Sequence, residues 1–340
     1  MIELMKLSEV HEQLGLSNET LIEMYKKMVL TRRVDERMWL LNRAGKIPFL
    51  VSGQGQEGAQ IATAFAMDLT QDYLLPYYRD LGVVLSSGMT AKDIMLSAFA
   101  KAEDPNSGGR QMPEHFGDKK NRIATQSSPV TTQFPNAAGF ALGIQLLNST
   151  AAVYTSTGDG SSNQGDFHEG INFASVHDLP VVFVIENNGY AISVPADKQY
   201  KAARLSDRAI GYGIPGFTVD SNDIFAVYAV MKEAFDRARR GEGPTLIETM
   251  SYRFAPHSSD DDDMTYRTAA EVKEARDERD PVVIFENYLL ANQVIDEDLK
   301  ATIEAEVKAE INEATDYAEN AAYAEPESAL RYVYEETEGV

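Results

Sequence analysis

The chain has 340 residues, with 31 Lys and Arg against 53 Asp and Glu, and it contains no cysteine. The formal net charge of -22 argues against binding to nucleic acid, which depends on neutralising phosphates. The lack of cysteine excludes disulfides, thiolate metal sites and cysteine nucleophiles. No apolar run approaches the roughly 18 residues that span a membrane, and the N-terminal sequence shows no signal peptide. We therefore expect a cytoplasmic protein that binds neither nucleic acid nor membrane.

The first third of the chain is predicted to be largely helical. Ser17 or Asn18 caps a long amphipathic helix with a period near 3.6, and Gly45 and Pro48 end it. Two shorter helices follow, the second with Thr90 as its N-cap: AQIATAFAMDL and TAKDIMLSAFAKA. The next segment, EDPNSGGRQMPEHFGDKKNR, is too polar and too rich in Gly and Pro for regular structure.

The centre of the chain alternates between apolar runs and helical stretches. The runs AAVYTST and PVVFVIE lack polar alternation, which is typical of strands buried on both faces. With the helix GDFHEGINFASVHD between them they form a strand–helix–strand unit, so the strands should be parallel. Further helices are predicted at FPNAAGFALGIQLLN and IFAVYAVMKEAFDRARR, and further strands at GFTVD and PTLIETMSYR.

These elements predict an α/β fold, built on a doubly wound and mostly parallel sheet with helical extensions at both ends. We divide the chain into an N-terminal helical extension at residues 1–48, an α/β domain at 49–280 and an acidic C-terminal region at 281–340. This last region is expected to become helical after Pro281.

The most informative motif lies at the carboxyl end of a predicted strand. Gly158 and Gly160 flank Asp159 there, and Asn187 and Asn188 end the next strand. Open α/β sheets bind ligands at this edge, and glycines let the backbone approach a phosphate closely. Because Asp159 would repel a phosphate unless a cation lay between them, these hard oxygen ligands favour a site for Mg²⁺ and a diphosphate.

Two alternatives remain open on the residues alone. A nicotinamide-binding turn matches Gly158 and Gly160, with Glu186 at the end of the second strand. Against it, Asn163 occupies the third glycine position, and Asp159 would lie close to the pyrophosphate. In the second alternative, the motif is only a tight turn, in which the glycines allow the backbone conformation and bind no ligand.

The motif resembles a known signature. Gly158-Asp159-Gly160, followed after 26 residues by Asn187-Asn188, is similar to the thiamine diphosphate signature. The match continues in LPYYRDLG, GGRQMPEHFG, SSPVTTQ, ENNGYAISVP, SDRAIGYG, GPTLIETMSYR and HSSDDDD. Over roughly residues 20–335 these segments resemble the alpha subunits of the decarboxylating component of 2-oxo acid dehydrogenases, and the branched-chain enzymes most closely.

This resemblance implies a set of cofactor-binding residues. Asp159 and Asn188, with the carbonyl group of Tyr190, would coordinate Mg²⁺, and Gly160 would lie beside the cofactor. Tyr78 and Arg79 would hold the diphosphate, for which the planar fork of arginine gives bidentate bonds. The remaining implied residues are Ser128 and Val130 at the aminopyrimidine, and Arg253 and the catalytic His257 at the reacting end.

Three further sites are implied by the resemblance. A monovalent cation such as K⁺ would bind Ser127, Thr132 and Gln133 with the carbonyl group of Pro129. Phe49 and Tyr77 are expected to line the substrate pocket. Ser258 occupies the position at which mitochondrial relatives carry a regulatory phosphate.

Other titratable residues receive simpler interpretations. His115 lies in a loop expected near the mouth of the site, and His257 is expected to titrate near neutrality, as an unperturbed histidine does. The run Asp260–Asp263 is interpreted as a solvated loop, because neighbouring side chains diverge. His168 and His177 are expected to be structural, and His11 to lie at the surface.

The resemblance also implies an activity and its partners. A chain of this kind carries out oxidative decarboxylation of branched-chain 2-oxo acids with thiamine diphosphate and passes the acyl group to a lipoyl group on an acyltransferase core. A beta chain would supply the glutamate that activates the aminopyrimidine, giving a heterotetramer of two alpha and two beta chains. Action on pyruvate, acetoin cleavage and a non-catalytic scaffold role remain alternatives.

Overall fold

The computed structural model describes residues 10–331. The outermost parts of both predicted helical extensions, residues 1–9 and 332–340, lie outside the described residues. The helices are α1 Val10–Gln13, α2 Asn18–Arg43, α3 Glu57–Ala66, α4 Leu81–Ser86, α5 Ala91–Ala98, α6 Gln133–Leu146, α7 Gly165–Val176, α8 Ala209–Tyr212, α9 Ile224–Arg239, α10 Ala269–Arg279, α11 Pro281–Ala291 and α12 Glu297–Asn320.

The strands of the described residues form a five-stranded sheet and a short hairpin. The sheet has the order β1-β2-β3-β7-β6, and each neighbouring pair is parallel. The small β4–β5 hairpin is antiparallel. The strands are β1 Tyr73–Leu75, β2 Val153–Gly158, β3 Val181–Asn187, β4 Tyr190–Ala191, β5 Val194–Pro195, β6 Gly216–Asp220 and β7 Thr245–Met250.

Helices cover both faces of the sheet, so the predicted doubly wound α/β fold is confirmed. On β3, Val181, Phe183 and Ile185 pack with α6 and α7. The alternate residues Val182 and Val184 belong to the core on the opposite face, which α2, α3 and α9 complete. Period-two side-chain alternation in a strand buried on both sides produces these two apolar layers.

The predicted elements are found close to their expected bounds, but the sequence does not predict the short elements α1, α4, α8, β4 and β5. Ser17 caps α2 through its side chain, and Thr90 forms a reciprocal capping box with Asp93 at α5, as its N-cap role predicts. The edge strand β1 was not predicted, because three residues are too few for a periodic pattern. The helical C-terminal region begins earlier than predicted, since the side chain of Thr268 caps α10 ahead of Pro281.

The terminal helices pack onto the α/β part of the chain. Residues of α2, α11 and α12 belong to the same core as residues of α3 and α9. A buried arginine joins these elements: Arg32 donates to Glu57 at 2.6 Å and to Asp280 at 2.9 Å. The division at residues 48 and 280 stays a prediction about domain boundaries.

Replacing Arg32 with Met is expected to lower the free energy of unfolding by about 3–5 kcal/mol, because the carboxylates of Glu57 and Asp280 lose their buried cation. The neighbouring Arg33 is the matched control, since its ion pair with Glu304 is 45% exposed on the arginine side. Arg33→Met should cost at most about 1 kcal/mol. Urea unfolding of both variants measures the difference, and equal losses would contradict this account.

Candidate functional site

A cavity opens where β2 and β3 end. Gly158 and Glu186 are register partners at these ends, so the residues that follow each strand lie at the same edge of the sheet. Nine of the predicted site residues line this cavity: Tyr77, Tyr78, Arg79, Val130, Asp159, Gly160, Asn188, Tyr190 and His257. The predicted residues that do not line it are Phe49, Ser127, Ser128, Pro129, Thr132, Gln133 and Arg253.

Asp159 is held in a tight and buried position. It is only 1% exposed, and its carboxylate accepts a hydrogen bond from Nε2 of Gln199 at 2.8 Å. A Cβ atom on Gly160 would lie 2.4 Å from the Cβ of Ala191, so only glycine permits this approach of the hairpin. Burial raises the pKa of Asp159. A cation beside the carboxylate would offset that cost of ionisation.

Asn188 lines the same cavity as Asp159. Its Nδ2 donates to Oε1 of Gln56 at 3.0 Å, and its Oδ1 accepts from the backbone N–H of Tyr190 at 3.2 Å. The hydroxyl group of Tyr190 donates to Glu271 at 3.0 Å, which fixes the hairpin that carries its carbonyl group. Within residues 10–331, no three His, Cys, Asp or Glu side chains are grouped as metal ligands. A metal here would therefore depend on one carboxylate with amide and carbonyl oxygens, which suits Mg²⁺.

Arg79 supplies a buried positive charge at the cavity wall. Its Nη1 donates to the carbonyl oxygen of Ser52, and its Nη2 lies 3.2 Å from Nδ1 of His257. The ring of Tyr78 lies beneath the guanidinium group, 5.3 Å from Cζ. The Nε of Arg79 is buried and has no hydrogen-bond partner within the protein. A buried cation with a spare donor is suited to an anionic ligand.

His257 is a neutral imidazole in this environment. Burial, together with the charges of Arg79 and Arg253, lowers its pKa to about 3. The expectation that it titrates near neutrality is therefore wrong. Since Arg79 has only donors, Nδ1 must accept, which leaves the ring proton on Nε2. The residue is thus prepared to donate a hydrogen bond, and its backbone N–H is held by Asp261 at 2.7 Å.

The acidic run after His257 does not form a uniformly solvated loop. Asp260 and Asp262 are exposed, as predicted. The prediction is wrong for Asp263, which is buried and pairs with Arg267 at 2.6 Å. It also fails for Asp261, whose carboxylate is partly buried and accepts from the His257 backbone and the Tyr266 hydroxyl. Successive side chains diverge, so alternate aspartates turn inward and anchor the loop.

Arg253 lies behind the cavity rather than in its lining. Its Nη2 donates to the carbonyl oxygen of Ile192 at 2.9 Å and to the hydroxyl of Tyr266 at 2.7 Å, while Nη1 is buried without a partner. Burial and the charge of Arg79 lower its pKa to about 10. Ser258 is also buried, so phosphorylation would require this loop to open, and the modification stays a prediction.

The predicted cation loop gathers three of its four oxygen donors. Oγ1 of Thr132 donates to Oγ of Ser127 at 2.6 Å and to the carbonyl oxygen of Pro129 at 3.0 Å. Gln133 is buried and donates to the carbonyl oxygen of Ser156 in β2 at 2.7 Å. Oγ of Ser128 bonds Nε2 of His115 at 2.6 Å, so the loops that carry these two residues are in contact.

The remaining histidines lie away from the cavity. His11 is 5% exposed and bonds the hydroxyl of Tyr288 at 2.7 Å, so the prediction of a surface position is wrong. It lies on the short helix α1, whose burial depends on packing against α11. His168 and His177 are exposed, and each contacts an aromatic ring, Tyr212 and Phe173 respectively.

Beneath the cavity lies a buried pair of carboxylates. Glu186 accepts hydrogen bonds from Gln56, Gln60 and Tyr77. Burial and the charge of Glu186 raise the pKa of Asp80. The nicotinamide alternative required a carboxylate at the end of β3 that is free for a ribose, and Glu186 is instead enclosed and 2% exposed.

Two residues around the cavity were not predicted. Gln56 contacts Asn188, and Gln199 contacts Asp159. Gln56 lies seven residues after Phe49, which is predicted to line the substrate pocket, so its position gives a partial signal. No sequence signal marks Gln199, because the hairpin that brings it to Asp159 is only two residues per strand.

Comparisons with known proteins agree with the resemblance. The family model described as dehydrogenase E1 component matches residues 25–327. The chain is 61% identical over 324 residues to the 2-oxoisovalerate dehydrogenase subunit alpha of Bacillus subtilis (strain 168), covering 95% of this chain and 98% of that protein. It is 40% identical over 322 residues to the pyruvate dehydrogenase E1 component subunit alpha of Staphylococcus epidermidis (strain ATCC 12228), covering 94% of this chain and 84% of that protein.

Within residues 10–331, no helix has both the length and the apolar character needed to cross a membrane.

The family model extends over most of the chain, and the relatives align along nearly all of it. The predicted resemblance is therefore confirmed: the chain belongs to the dehydrogenase E1 component family.

Proposed function

We propose that this chain is the alpha-type subunit of a thiamine diphosphate-dependent dehydrogenase of branched-chain 2-oxo acids. The reaction is the oxidative decarboxylation of 3-methyl-2-oxobutanoate and its homologues, followed by acyl transfer to a lipoyl group of an acyltransferase component. The 61% identity to a 2-oxoisovalerate dehydrogenase subunit alpha favours this substrate class over pyruvate, since the pyruvate dehydrogenase relatives are 40% identical.

One observation carries the proposal: hard oxygen ligands and a buried arginine side chain line the same cavity. Asp159 and Asn188 contribute oxygen atoms, and Arg79 contributes a buried guanidinium whose Nε lacks a partner. A magnesium diphosphate needs both kinds of group. The residues present therefore fit the cofactor, and they also count against a non-catalytic scaffold role.

The residues take separate roles toward the cofactor. Asp159, Asn188 and the carbonyl of Tyr190 would hold Mg²⁺, while Tyr78 and Arg79 would hold the diphosphate. When bound, thiamine diphosphate supplies the carbon nucleophile and the electron sink for loss of CO₂. Ser128 and Val130 would contact the aminopyrimidine. Arg253 supports the loop that carries His257, since its Nε donates to the carbonyl oxygen of Ala255 at 3.2 Å.

His257 would contribute hydrogen bonding rather than charge. With a pKa of about 3 it stays neutral at physiological pH, and its proton lies on Nε2. A neutral donor stabilises a developing negative charge without releasing its proton to water. Tyr77 lies on the cavity wall, and its hydroxyl group donates a hydrogen bond to Glu186. Its ring would therefore be the part that contacts an apolar substrate chain.

The cavity lacks a second free carboxylate, which supports the need for a beta subunit. Among the described residues that line it, Asp159 is the only acidic side chain, and its role is metal binding. The glutamate that activates the aminopyrimidine would therefore come from another chain. We infer an assembly of two alpha and two beta chains, joined to a lipoyl-bearing core. A K⁺ ion at the loop of Ser127, Pro129, Thr132 and Gln133, and the cytoplasmic location, belong to the same proposal and stay predictions.

Steady-state assays of the purified chain with and without its beta subunit test this proposal. We expect no decarboxylation by the chain alone, and a higher kcat/KM for 3-methyl-2-oxobutanoate than for pyruvate once the beta subunit is present. Substantial turnover by the chain alone would contradict the shared site. A preference for pyruvate, or cleavage of acetoin, would instead assign one of the alternative substrates.

A further inference from the structure

The side-chain amide of Asn188 is oriented by a chain of three buried residues. Nδ2 of Asn188 donates to Oε1 of Gln56 at 3.0 Å, and Nε2 of Gln56 donates to Oε2 of Glu186 at 2.9 Å. All three residues are at most 3% exposed. Because these groups are buried, their hydrogen bonds favour a single orientation of each amide.

The direction of this chain is set at Glu186. A carboxylate only accepts hydrogen bonds, whereas an amide has one donor end and one acceptor end. Glu186 therefore requires the NH₂ group of Gln56, which turns Oε1 of Gln56 toward Asn188. That oxygen in turn requires the NH₂ group of Asn188, which leaves Oδ1 of Asn188 on the opposite side, beside the backbone N–H of Tyr190.

A flipped Asn188 would be opposed at both ends. Its Nδ2 would face the N–H of Tyr190, and its Oδ1 would face Oε1 of Gln56. One buried contact would then join two donors and the other would join two acceptors, so neither hydrogen bond would form. The penalty for leaving a buried polar group unsatisfied is about 1–3 kcal/mol.

Glu186 itself is held by two further donors. Its Oε2 also accepts from Nε2 of Gln60 at 3.0 Å and from the hydroxyl of Tyr77 at 2.9 Å. Gln60 is fixed independently, because its Oε1 accepts from the backbone N–H of Gly82 at 2.9 Å. The carboxylate is thus a fixed acceptor, from which the orientation of Gln56 follows.

We propose that Glu186 is a positioning residue for the metal site, which acts through Gln56 to keep the amide oxygen of Asn188 available to a divalent cation. This inference rests on the proposed function, since it assumes that Asn188 is a metal ligand. Residues behind the direct ligands of a metal commonly change its affinity by about 10–100-fold.

The test measures metal binding to the assembled alpha–beta enzyme, with Mn²⁺ as the probe and thiamine diphosphate present. Electron paramagnetic resonance of free Mn²⁺ gives the affinity without relying on turnover. Gln56, Gln60 and Tyr77 all donate to Oε2 of Glu186. Glu186→Met removes this acceptor, so Gln56 and Asn188 can both reverse, and we expect the Mn²⁺ affinity to fall about 10-fold or more.

Glu186→Gln is the conservative variant. Its amide oxygen can take the position of Oε2 and accept from Gln56, Gln60 and Tyr77, so the orientation of Gln56 and Asn188 is retained. We expect Glu186→Gln to keep most of the Mn²⁺ affinity that Glu186→Met loses.

Gln56→Met and Gln60→Met form a matched pair that does not change the charge at Glu186. Each removes one hydrogen bond to Glu186, but only Gln56 contacts Asn188. We expect similar midpoints of urea unfolding for the two variants and weaker Mn²⁺ binding for Gln56→Met. Equal Mn²⁺ affinities in this pair, wild-type affinity in Glu186→Met, or an equal loss of affinity in Glu186→Gln and Glu186→Met would each overturn the inference. Failure of the wild-type enzyme to bind Mn²⁺ would instead reject the proposed function.

Discussion

Asp159→Ala is expected to remove metal-dependent binding of thiamine diphosphate. Asp159 is the only carboxylate among the described residues that line the cavity, and it is almost fully buried. Breaking a buried pair of opposite charges costs about 3–5 kcal/mol, which corresponds to a loss of affinity of about 10²–10⁴-fold. Turnover at a fixed cofactor concentration should fall accordingly. Isothermal titration with Mg²⁺ and thiamine diphosphate measures this change.

The metal-free protein gives an independent readout of the same variant. Because burial raises the pKa of Asp159, the ionised carboxylate is held at a cost when no cation is present. Asp159→Ala should therefore be about as stable as the wild type without Mg²⁺, and Mg²⁺ should no longer stabilise it. Asp197→Ala is a suitable control, because the Asp197 side chain is 69% exposed and lies just after the β4–β5 hairpin. Binding that is insensitive to EDTA in the wild type would contradict the metal assignment.

Arg79→Met is expected to weaken diphosphate binding about 10²-fold, since losing one partner of a buried charge pair costs about 2–5 kcal/mol. The affinity of Arg79→Lys for thiamine diphosphate should lie between those of Arg79→Met and the wild type, because lysine keeps the charge but lacks the planar fork. Fluorescence or calorimetric titration of thiamine diphosphate at saturating Mg²⁺ measures these affinities. Equal affinity in Arg79→Met and the wild type would show that the diphosphate binds elsewhere.

The same variant should raise the pKa of His257. Burial is the largest cause of the lowered value of about 3, and the charge of Arg79 is the next. Removing that charge moves the pKa toward the usual value near 6.5, without reaching it. Nuclear magnetic resonance titration of the imidazole, assigned with His257→Asn, follows this change.

The sign of the accompanying stability change follows from proton linkage. Between about pH 3 and 6.5 the unfolded chain binds a proton at His257 that the folded protein does not. The contribution of His257 to the free energy of unfolding therefore decreases as the pH falls below about 6.5. The loss should be smaller in Arg79→Met, which urea unfolding at pH 5 and pH 7.5 would detect.

Local patterns predicted the elements that carry the site. The apolar runs around Val153 and Val181, separated by one helix, predicted adjacent parallel strands, and the register between Gly158 and Glu186 confirms them. This success has a local cause, since propensity, capping and buried apolar runs are properties of neighbouring residues. The signature Gly158-Asp159-Gly160 with Asn188 could be placed at one sheet edge for the same reason.

Burial and protonation state could not be predicted in this way. His257 was expected to titrate near neutrality, His11 to lie at the surface, and Asp263 to be solvated, and all three expectations are wrong. Each depends on groups from other elements: Arg79 lies 178 residues from His257, and Tyr288 lies 277 residues from His11. A pKa or an exposed fraction is the sum of such contacts, and a linear pattern does not contain them.

The sequence alone therefore determined the type and order of the longer elements, the parallel arrangement of the central strands, the cofactor signature and the family. The tertiary structure decided which buried groups surround that signature, including the acceptor-only contact of Glu186 that orients Gln56 and Asn188. The physical reason is that secondary structure follows from neighbouring residues, whereas charge, orientation and desolvation at a site are set by side chains that only the packing of distant elements brings together.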